Sequence, residues 1–580
     1  MTDLRLEYPR PQFVRPDWLC LNGQWQFEID FGCEGENRRY FERETLKDEI
    51  TVPYCPESEL SGIGYKGFMN CVWYRKEVTL PDSFKDKRTI LHIGAIDYHA
   101  KLWVNGKYAA SHKGGYTPFD ADITDFIEGD HVTLTLCAYD DNRSGKQPSG
   151  KQSMLYQSHG CFYTRTTGIW QSVWLEPVDA AHILRFRAYP DITTPSVSLH
   201  LDLTEACLGA VLTVEASFDG KPMGRAVTTV NSRTADVCLS LTEAHLWDLG
   251  QGNLYDLTFK LTRGDHLLDV VEAYFGLRQV GLDRKGMTLN GRYVFGRFVL
   301  DQGFYPDGIY TAPSDEALRM DVVNSMKLGF NGARLHEKIF EPRLLYWADK
   351  LGYMVWGEHG NWGMSVLDAG SVMNFLPEWL EAVERDFSHP SIIGWCPFNE
   401  TWDEGGNRQC DDVLRLVYLA TKAADKTRPC IDTSGNFHVV TDIFDVHDYE
   451  QDPVKFASYY EKIASDGIIR DQIERGSPGR QVYNRKLPVF MSEYGGIRWV
   501  EGDNEGWGYG NSVTTKEEFF ARYKGLTDAI LDNPSFMGFC YTQLYDVEQE
   551  MNGCMTYDRK FKFEPELFYA INTRKAAIEE

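Results

Sequence analysis

Two short segments concentrate the chemistry that this chain can offer: Gly394-Trp395-Cys396-Pro397-Phe398-Asn399-Glu400 and Val489-Phe490-Met491-Ser492-Glu493-Tyr494-Gly495-Gly496. Each is an apolar, strand-like run that ends on a glutamate. A lone glutamate at a strand end is ordinarily a solvated loop charge. Two in matching contexts, one preceded by an asparagine and both set among aromatic residues, are the minimum equipment for cleaving a glycosidic bond. One carboxyl group must hold a proton while the other attacks, so their surroundings have to push the two pKa values apart. Asn399 supplies an amide suited to a sugar hydroxyl, and Tyr494 is placed to bond an attacking carboxylate or stabilise the ring-oxygen side.

For these glutamates to act together, the elements carrying them must converge. After about residue 285 the pattern becomes strand, loop, helix, repeated. Strands are expected at Tyr293–Leu300, Gly332–Leu335, Met354–Trp356, Ile392–Phe398, Cys430–Asp432, Ile443–Val446, Val489–Met491 and Met537–Tyr541. Helices are expected at Glu316–Leu328, Pro342–Lys350, Asp411–Ala424 and Lys516–Leu531, and the fifth-to-sixth connection is too short for one. Eight such units fit a (β/α)₈ barrel, which puts Glu400 at the end of strand four and Glu493 at the end of strand seven, both on the catalytic face. An open doubly wound sheet is the alternative, but no glycine-rich phosphate loop follows the first strand. Other strand-end candidates for the pocket are Asp301, Arg334, His336, Glu358, His447, Asp448 and Gln543. His336, His447 and Glu358 are also metal-ligand types, although their spacing demands no metal and hydrogen bonding is the expected role. The loop Gly502–Gly510 can be a lid presenting Trp507 or Tyr509 to a sugar face, or a plain surface loop.

The first half of the chain is all β. Residues 1–178 show short alternating runs, among them Trp73–Val78 and Ala100–Val104, the latter followed by the hairpin signal Asn105-Gly106. A sandwich or jelly roll is expected there. Residues 179–276 have the strand spacing of a smaller, immunoglobulin-like sandwich, and residues 277–580 carry the barrel.

At 580 residues several domains are expected, and 43% hydrophobic with 25% charged residues is the composition of a soluble globular protein. A net charge of −25 repels phosphate backbones and anionic lipid, so neither nucleic acid nor membrane is an expected partner. Met1–Pro9 has no apolar segment of the signal-peptide kind, and no run approaches 18 apolar residues. The 13 cysteines are scattered, without a Cys-x-x-Cys pair, and read as reduced thiols in a cytoplasmic protein.

With these motifs in hand, the chain resembles glycoside hydrolase family 2, which holds β-galactosidases, β-glucuronidases and β-mannosidases. The resemblance spans essentially the whole chain. Leu21–Trp25 and Gly168–Leu175 are similar to the family's sugar-binding domain, Asn399-Glu400 to its acid/base motif, and Ser492–Gly495 to its nucleophile motif. Gln543, with Asp546–Glu550 and Asn552-Gly553, resembles the segment after the last barrel strand. The resemblance implies that Glu400 is acid/base, Glu493 is nucleophile, the reaction retains anomeric configuration, and neither metal nor cofactor is needed. Arg334-Leu335-His336-Glu337-Lys338 replaces the family's Arg-x-x-His-Tyr-Pro. The β-glucuronidases' Asn-x-Lys becomes Asn552-Gly553-Cys554, ahead of Asp558-Arg559-Lys560, so the lysine that grips a uronate is missing. The leading expectation is therefore an exo-acting β-galactosidase acting on a carbohydrate substrate. Galactofuranosidase, arabinosidase, β-mannosidase, β-glucuronidase and a non-catalytic carbohydrate-binding protein are the alternatives. The family also implies a possible homo-oligomer.

Overall fold

The computed structural model describes residues 4–467, 469, 480–499 and 506–579. Its N-terminal part is a sandwich of antiparallel sheets. Six strands run in the order Asp48–Val52, Gly23–Ile29, Cys71–Thr79, His131–Tyr139, His99–Val104 and Lys107–Lys113. They face a four-stranded sheet ordered Leu19–Cys20, Val173–Val178, Arg88–Ile93 and Phe119–Asp122. Alternation buries Trp25, Phe27, Leu91, Ile93, Leu134 and Leu136 between the two. At the Asn105-Gly106 turn both residues have positive φ, +50° and +76°, which is the twist-matched hairpin geometry. A second sandwich packs Ile183–Asp191, Ser196–Leu203 and Thr234–Ser240 over Lys221–Thr229, Val211–Phe218, Tyr255–Arg263 and His266–Phe275. It has a core of its own.

The third part is the barrel. We label its strands β1 (Gly296–Asp301), β2 (Gly332–Leu335), β3 (Met354–Glu358), β4 (Ile392–Cys396), β5 (Thr433–Ser434), β6 (Phe444–Asp448), β7 (Val489–Gly495) and β8 (Phe536–Thr542). Seven form one parallel sheet in the order β4-β3-β2-β1-β8-β7-β6. The gap between β4 and β6 is closed by β5, which pairs with Phe398–Asn399 just beyond β4, and by a single bridge from Trp395 to Cys430. Pro397 has no N–H to give to a ladder, and the fourth strand breaks there into its two pieces.

The barrel has two apolar layers. Phe298, Leu300, Trp356, Ile393, Phe490 and Cys540 fill its interior, and the hairpin residues Met287 and Leu289 plug the floor. Residues one step along, such as Val299, Val355, Val446 and Met491, pack outward against helices. Helix Asp411–Ala424 shows why: Val413, Leu414, Val417, Tyr418 and Thr421 form one buried face at helical spacing. Helix Pro342–Leu351 starts with proline and stops at Gly352, which takes φ +67°. No helix among the described residues is long and apolar enough to cross a membrane.

Candidate active site

The mouth of the barrel holds a hollow of about 350 Å³, lined by Glu400, Glu493, Asn399, Gln302, Tyr449 and Tyr509 among others. This is the small end of the range of ligand sites, roughly 300–1,000 Å³. A larger hollow, about 550 Å³ beside Pro81–Lys87, lies on the surface of the first sandwich and holds no facing pair of glutamates.

Glu400 lies one residue past the short Phe398–Asn399 strand, and its backbone is held at φ +34°, where non-glycine residues are strained. Its N–H donates to Ser434 O on β5 (2.9 Å), and Asn361 clamps Asn399 by accepting from its N–H at 2.6 Å. Glu493 reaches the same hollow by another device. The pairing of β7 with β8 shifts register between Met491 and Tyr494, and that of β6 with β7 shifts at Val446/His447. These bulges turn Ser492 and Glu493 inward in succession and send Tyr494 outward. A carboxylate oxygen of Glu400, one of Glu493 and a His447 ring nitrogen all lie within 4.8 Å of one another.

Arg334, 1% exposed, organises the floor beneath the two acids. Its Nε donates to Glu358 Oε2 (2.6 Å), and one terminal nitrogen donates to Ser492 O (2.8 Å) and Glu493 Oε1 (3.1 Å). The other terminal nitrogen donates to Asn399 Oδ1 (3.2 Å). Glu358 also faces His336 Nδ1 at 3.1 Å. Burial, with Lys151, Arg334 and His447 nearby, pushes the His336 pKa far down, so the ring is neutral and donates from Nδ1. Burial raises Glu358 despite Arg334.

His447 Nδ1 lies 2.7 Å from Glu400 Oε1, and its Nε2 lies 2.9 Å from Ser434 Oγ, which donates onward to Asp445 (2.5 Å). Burial works against charging His447, but Glu493 and Glu400 raise its pKa overall. For Glu400 burial acts upward, while the hydrogen bond and charge of His447, then Lys151 and Arg334, bring it below the usual range. The pair thus carries one proton, resting on Nδ1 and pointed at the glutamate. Beneath it His438, against burial, is raised to about 10 by Asp432 and Asp445.

The structure corrects several sequence expectations. The Tyr494 hydroxyl shares a hydrogen bond with Thr527 Oγ1 (2.8 Å) and packs outside the barrel, because the bulge turned it there. The phenol that donates to Glu493 Oε2 is Tyr449, and Tyr509 stacks on it. Asp301 faces outward by strand alternation, bonded to Gly303 N and Tyr545, so its neighbours Leu300 and Gln302 line the hollow. Gln543 sits one layer back, accepting from Gln302 Nε2 (2.8 Å) and donating to Asn552 Oδ1 (2.8 Å). Asp448 turns out to accept from Tyr460 at 2.8 Å. Trp507 does not line the hollow; its Nε1 donates to Gly160 O (2.5 Å) and it backs Tyr509. Residues 502–505 of the suggested lid fall outside the described residues. Among the described residues, the metal-ligand types that converge are Glu400, His447 and Glu493. That differs from the set His336, His447 and Glu358, and Arg334 already supplies positive charge there.

Other lining residues were not singled out in the sequence: Lys151, Cys161 and Phe162 from the first sandwich, and Trp362 and Trp402 from the barrel. The long connection between Tyr139 and Gly168 was the available signal for the first three. Trp362 donates to Asn399 O (3.1 Å), and Trp402 packs beside it, 48% exposed at the mouth.

A paired substitution tests the exchanged tyrosines. Tyr449→Phe removes a donor from Glu493 and is expected to lower kcat roughly 10–100-fold. Tyr494→Phe is expected to leave kcat within about threefold and cost ~1 kcal/mol of stability through Thr527. Steady-state kinetics and urea unfolding read both, and equal kinetic losses contradict the assignment.

Comparison with known proteins adds sequence and fold likeness. Residues 65–176 match the model of the sugar binding domain of glycosyl hydrolases family 2, and residues 181–278 match a further glycosyl hydrolases family 2 model. A β-glucuronidase of Chlorocebus aethiops is 24% identical over 544 residues, covering 84% of this chain and 79% of that protein. A β-galactosidase of Thermoanaerobacter pseudethanolicus is 26% identical, covering 62% of this chain and 48% of that protein. The crystal structure of Ruminococcus gnavus β-glucuronidase superposes with a TM-score of 0.80 at 16% identity, covering 97% of this chain and 100% of that one. At that identity the likeness is one of fold.

Proposed function

The chain belongs to glycosyl hydrolase family 2, and from that premise we propose that it hydrolyses terminal β-linked sugars with retention, by double displacement. The observation that carries this reading is the approach of Glu400 and Glu493 to within 4.8 Å across one hollow. Retaining enzymes hold their carboxyl groups about 5–5.5 Å apart, and inverting ones keep roughly 6.5–9.5 Å to admit a water.

Glu493 attacks the anomeric carbon while the proton that Glu400 shares with His447 passes by way of Glu400 to the departing oxygen, leaving a glycosyl ester on Glu493 and a free alcohol. Water then gives a proton to Glu400 and attacks the same carbon, releasing the sugar and restoring both carboxyl groups. Arg334 and Tyr449 hold Glu493 by its two oxygens, which fixes its line of attack. Asn399, with its carbonyl oxygen engaged by Arg334, presents its amide beside the reacting carbon. The small hollow supports removal of one terminal sugar at a time, and the exposed Trp402 at its mouth is an aromatic platform for the leaving group.

Neutral galactosides and uronides both remain as glycones, since relatives bear both names. The missing lysine favours a galactoside. Cys554 is buried, however, and Asn552 is engaged by Gln543 and Glu550, so that segment delivers only Glu550 to the hollow. Aryl β-galactopyranoside, β-glucuronide, β-mannoside, β-galactofuranoside and α-arabinofuranoside, assayed side by side, test the reading. Hydrolysis of at least one is expected; turnover of none sinks the enzyme reading in favour of a sugar-binding protein.

The proton shared by Glu400 and His447 sets a pH expectation. The reactive form persists until His447 gives up its proton, and its raised pKa puts the alkaline limb of kcat/KM above the ordinary histidine value of about 6.5. In His447→Asn the proton must rest on the carboxyl itself, so the limb moves to lower pH and kcat falls roughly 100-fold. A limb that stays in place contradicts the shared proton.

A further inference from the structure

Lys151 enters the barrel's hollow from the first sandwich, and the chain goes to some length to put it there. Ser149 N donates to Trp362 O (2.7 Å) and Gly150 N to Gly360 O (3.1 Å), so this loop is stitched to the barrel face. Gly150 takes φ +57°, and a Cβ there would lie 2.2 Å from Glu337 O, so only glycine permits this approach. Tyr163 N donates to Lys151 O (2.7 Å), holding the far side of the loop.

Lys151 is only 6% exposed and lines the hollow beside Glu400, Glu493 and Glu550. Its ammonium lies 4.3 Å from the centre of the Trp362 ring, but no hydrogen-bond acceptor or ion-pair partner meets it among the described residues. The other cations are engaged: Arg334 by Glu358, Glu493, Ser492 and Asn399, and His447 by Glu400 and Ser434. Glu550 is occupied by Tyr163 and Asn552. Burial works against charging Lys151, but Cys161 and then the carboxylates of Glu550, Glu493 and Glu337 raise its pKa overall, while burial raises that of the Cys161 thiol. Bonded to no acceptor, the ammonium opens onto the hollow, where the anionic group of a ligand would complete it with a charge-assisted hydrogen bond.

We propose that Lys151 is the anion-reading residue of this site, selecting sugars that bear a negatively charged substituent, either the carboxylate of a uronic acid or a sulfate ester. The proposal rests on the glycosidase reading and names its substrate class. It also relocates the missing cation: what the segment at Cys554 lacks, the N-terminal domain supplies from the other side.

The full chain is assayed with 4-nitrophenyl β-D-glucuronide, β-D-galacturonide and 6-sulfo-β-D-galactoside against the neutral β-D-galactoside. The ratio of kcat/KM, anionic over neutral, is expected above one in the wild type. It falls roughly 100-fold in Lys151→Met and is largely kept in Lys151→Arg. The uronide and sulfate arms separate the two sources. A wild-type ratio at or below one overturns the proposal, as does an equal loss on both substrates in Lys151→Met, which makes Lys151 a charge balance for the glutamates. Thermal shifts of the wild type with D-glucuronate, D-galacturonate and galactose 6-sulfate against galactose read the same preference without turnover or mutation. Stabilisation by an anionic sugar without hydrolysis of any substrate strikes the glycosidase reading and leaves the role of Lys151 standing; shifts equal to that of galactose strike the role of Lys151.

Discussion

Glu493→Ala is expected to lower kcat on an activated aryl glycoside roughly 10⁴-fold, about 5.4 kcal/mol of transition-state stabilisation. No other described carboxylate of the hollow is placed to replace its attack: Glu400 is bonded to His447, Glu550 is held by Tyr163 and Asn552, and Glu358 lies beneath Arg334. Adding azide to this variant refills the vacated side of the ring and yields the α-glycosyl azide. In Glu400→Ala the glycosyl ester on Glu493 still forms when the leaving group needs no proton, and azide then attacks it to give the β-glycosyl azide. The two product configurations assign the roles independently of rates. The same azide product from both variants contradicts the assignment.

Arg334→Met carries the largest expected structural penalty. It leaves Glu358 and Glu493, both buried, without the guanidinium that joins them. Breaking a buried ion pair in this way costs about 3–5 kcal/mol, and kcat/KM is expected to fall roughly 100–1,000-fold because Glu493 loses a donor. Lysine does not rescue it. The guanidinium meets Glu358, Ser492, Glu493 and Asn399 in a planar fork that a single ammonium cannot reproduce. Urea unfolding and kinetics on both variants decide this, and a lysine variant equal to wild type in both contradicts it.

Much of this was legible from residue types. Gly332–Leu335, Asp411–Ala424 and Lys516–Leu531 carry their periods openly and form as the sequence suggests. The barrel follows because eight such units in order have few other solutions. The fifth strand was misplaced, at Cys430–Asp432, because only Thr433 and Ser434 pair and Cys430 gives a single bridge. A two-residue strand has no period to detect. Which of Glu493 and Tyr494 faces inward depends on bulges set by neighbouring strands, and a one-residue shift in register exchanges the faces. Tyr449, which took the place expected of Tyr494, therefore had no signature. Lys151 was hidden for another reason: it belongs to a different domain, and no local pattern shows that its loop docks on the barrel. The sequence exposes chemistry carried on regular strands and hides chemistry delivered by register or by docking.

Double displacement requires Glu400 and Glu493 to work as a retaining pair. Proton NMR of the sugar first released from any aryl β-glycoside the protein hydrolyses, recorded before mutarotation, tests this directly. The β anomer appearing first is the predicted result. The α anomer appearing first would mean that water attacks in a single displacement, with no glycosyl ester on Glu493, and would contradict the retaining pair.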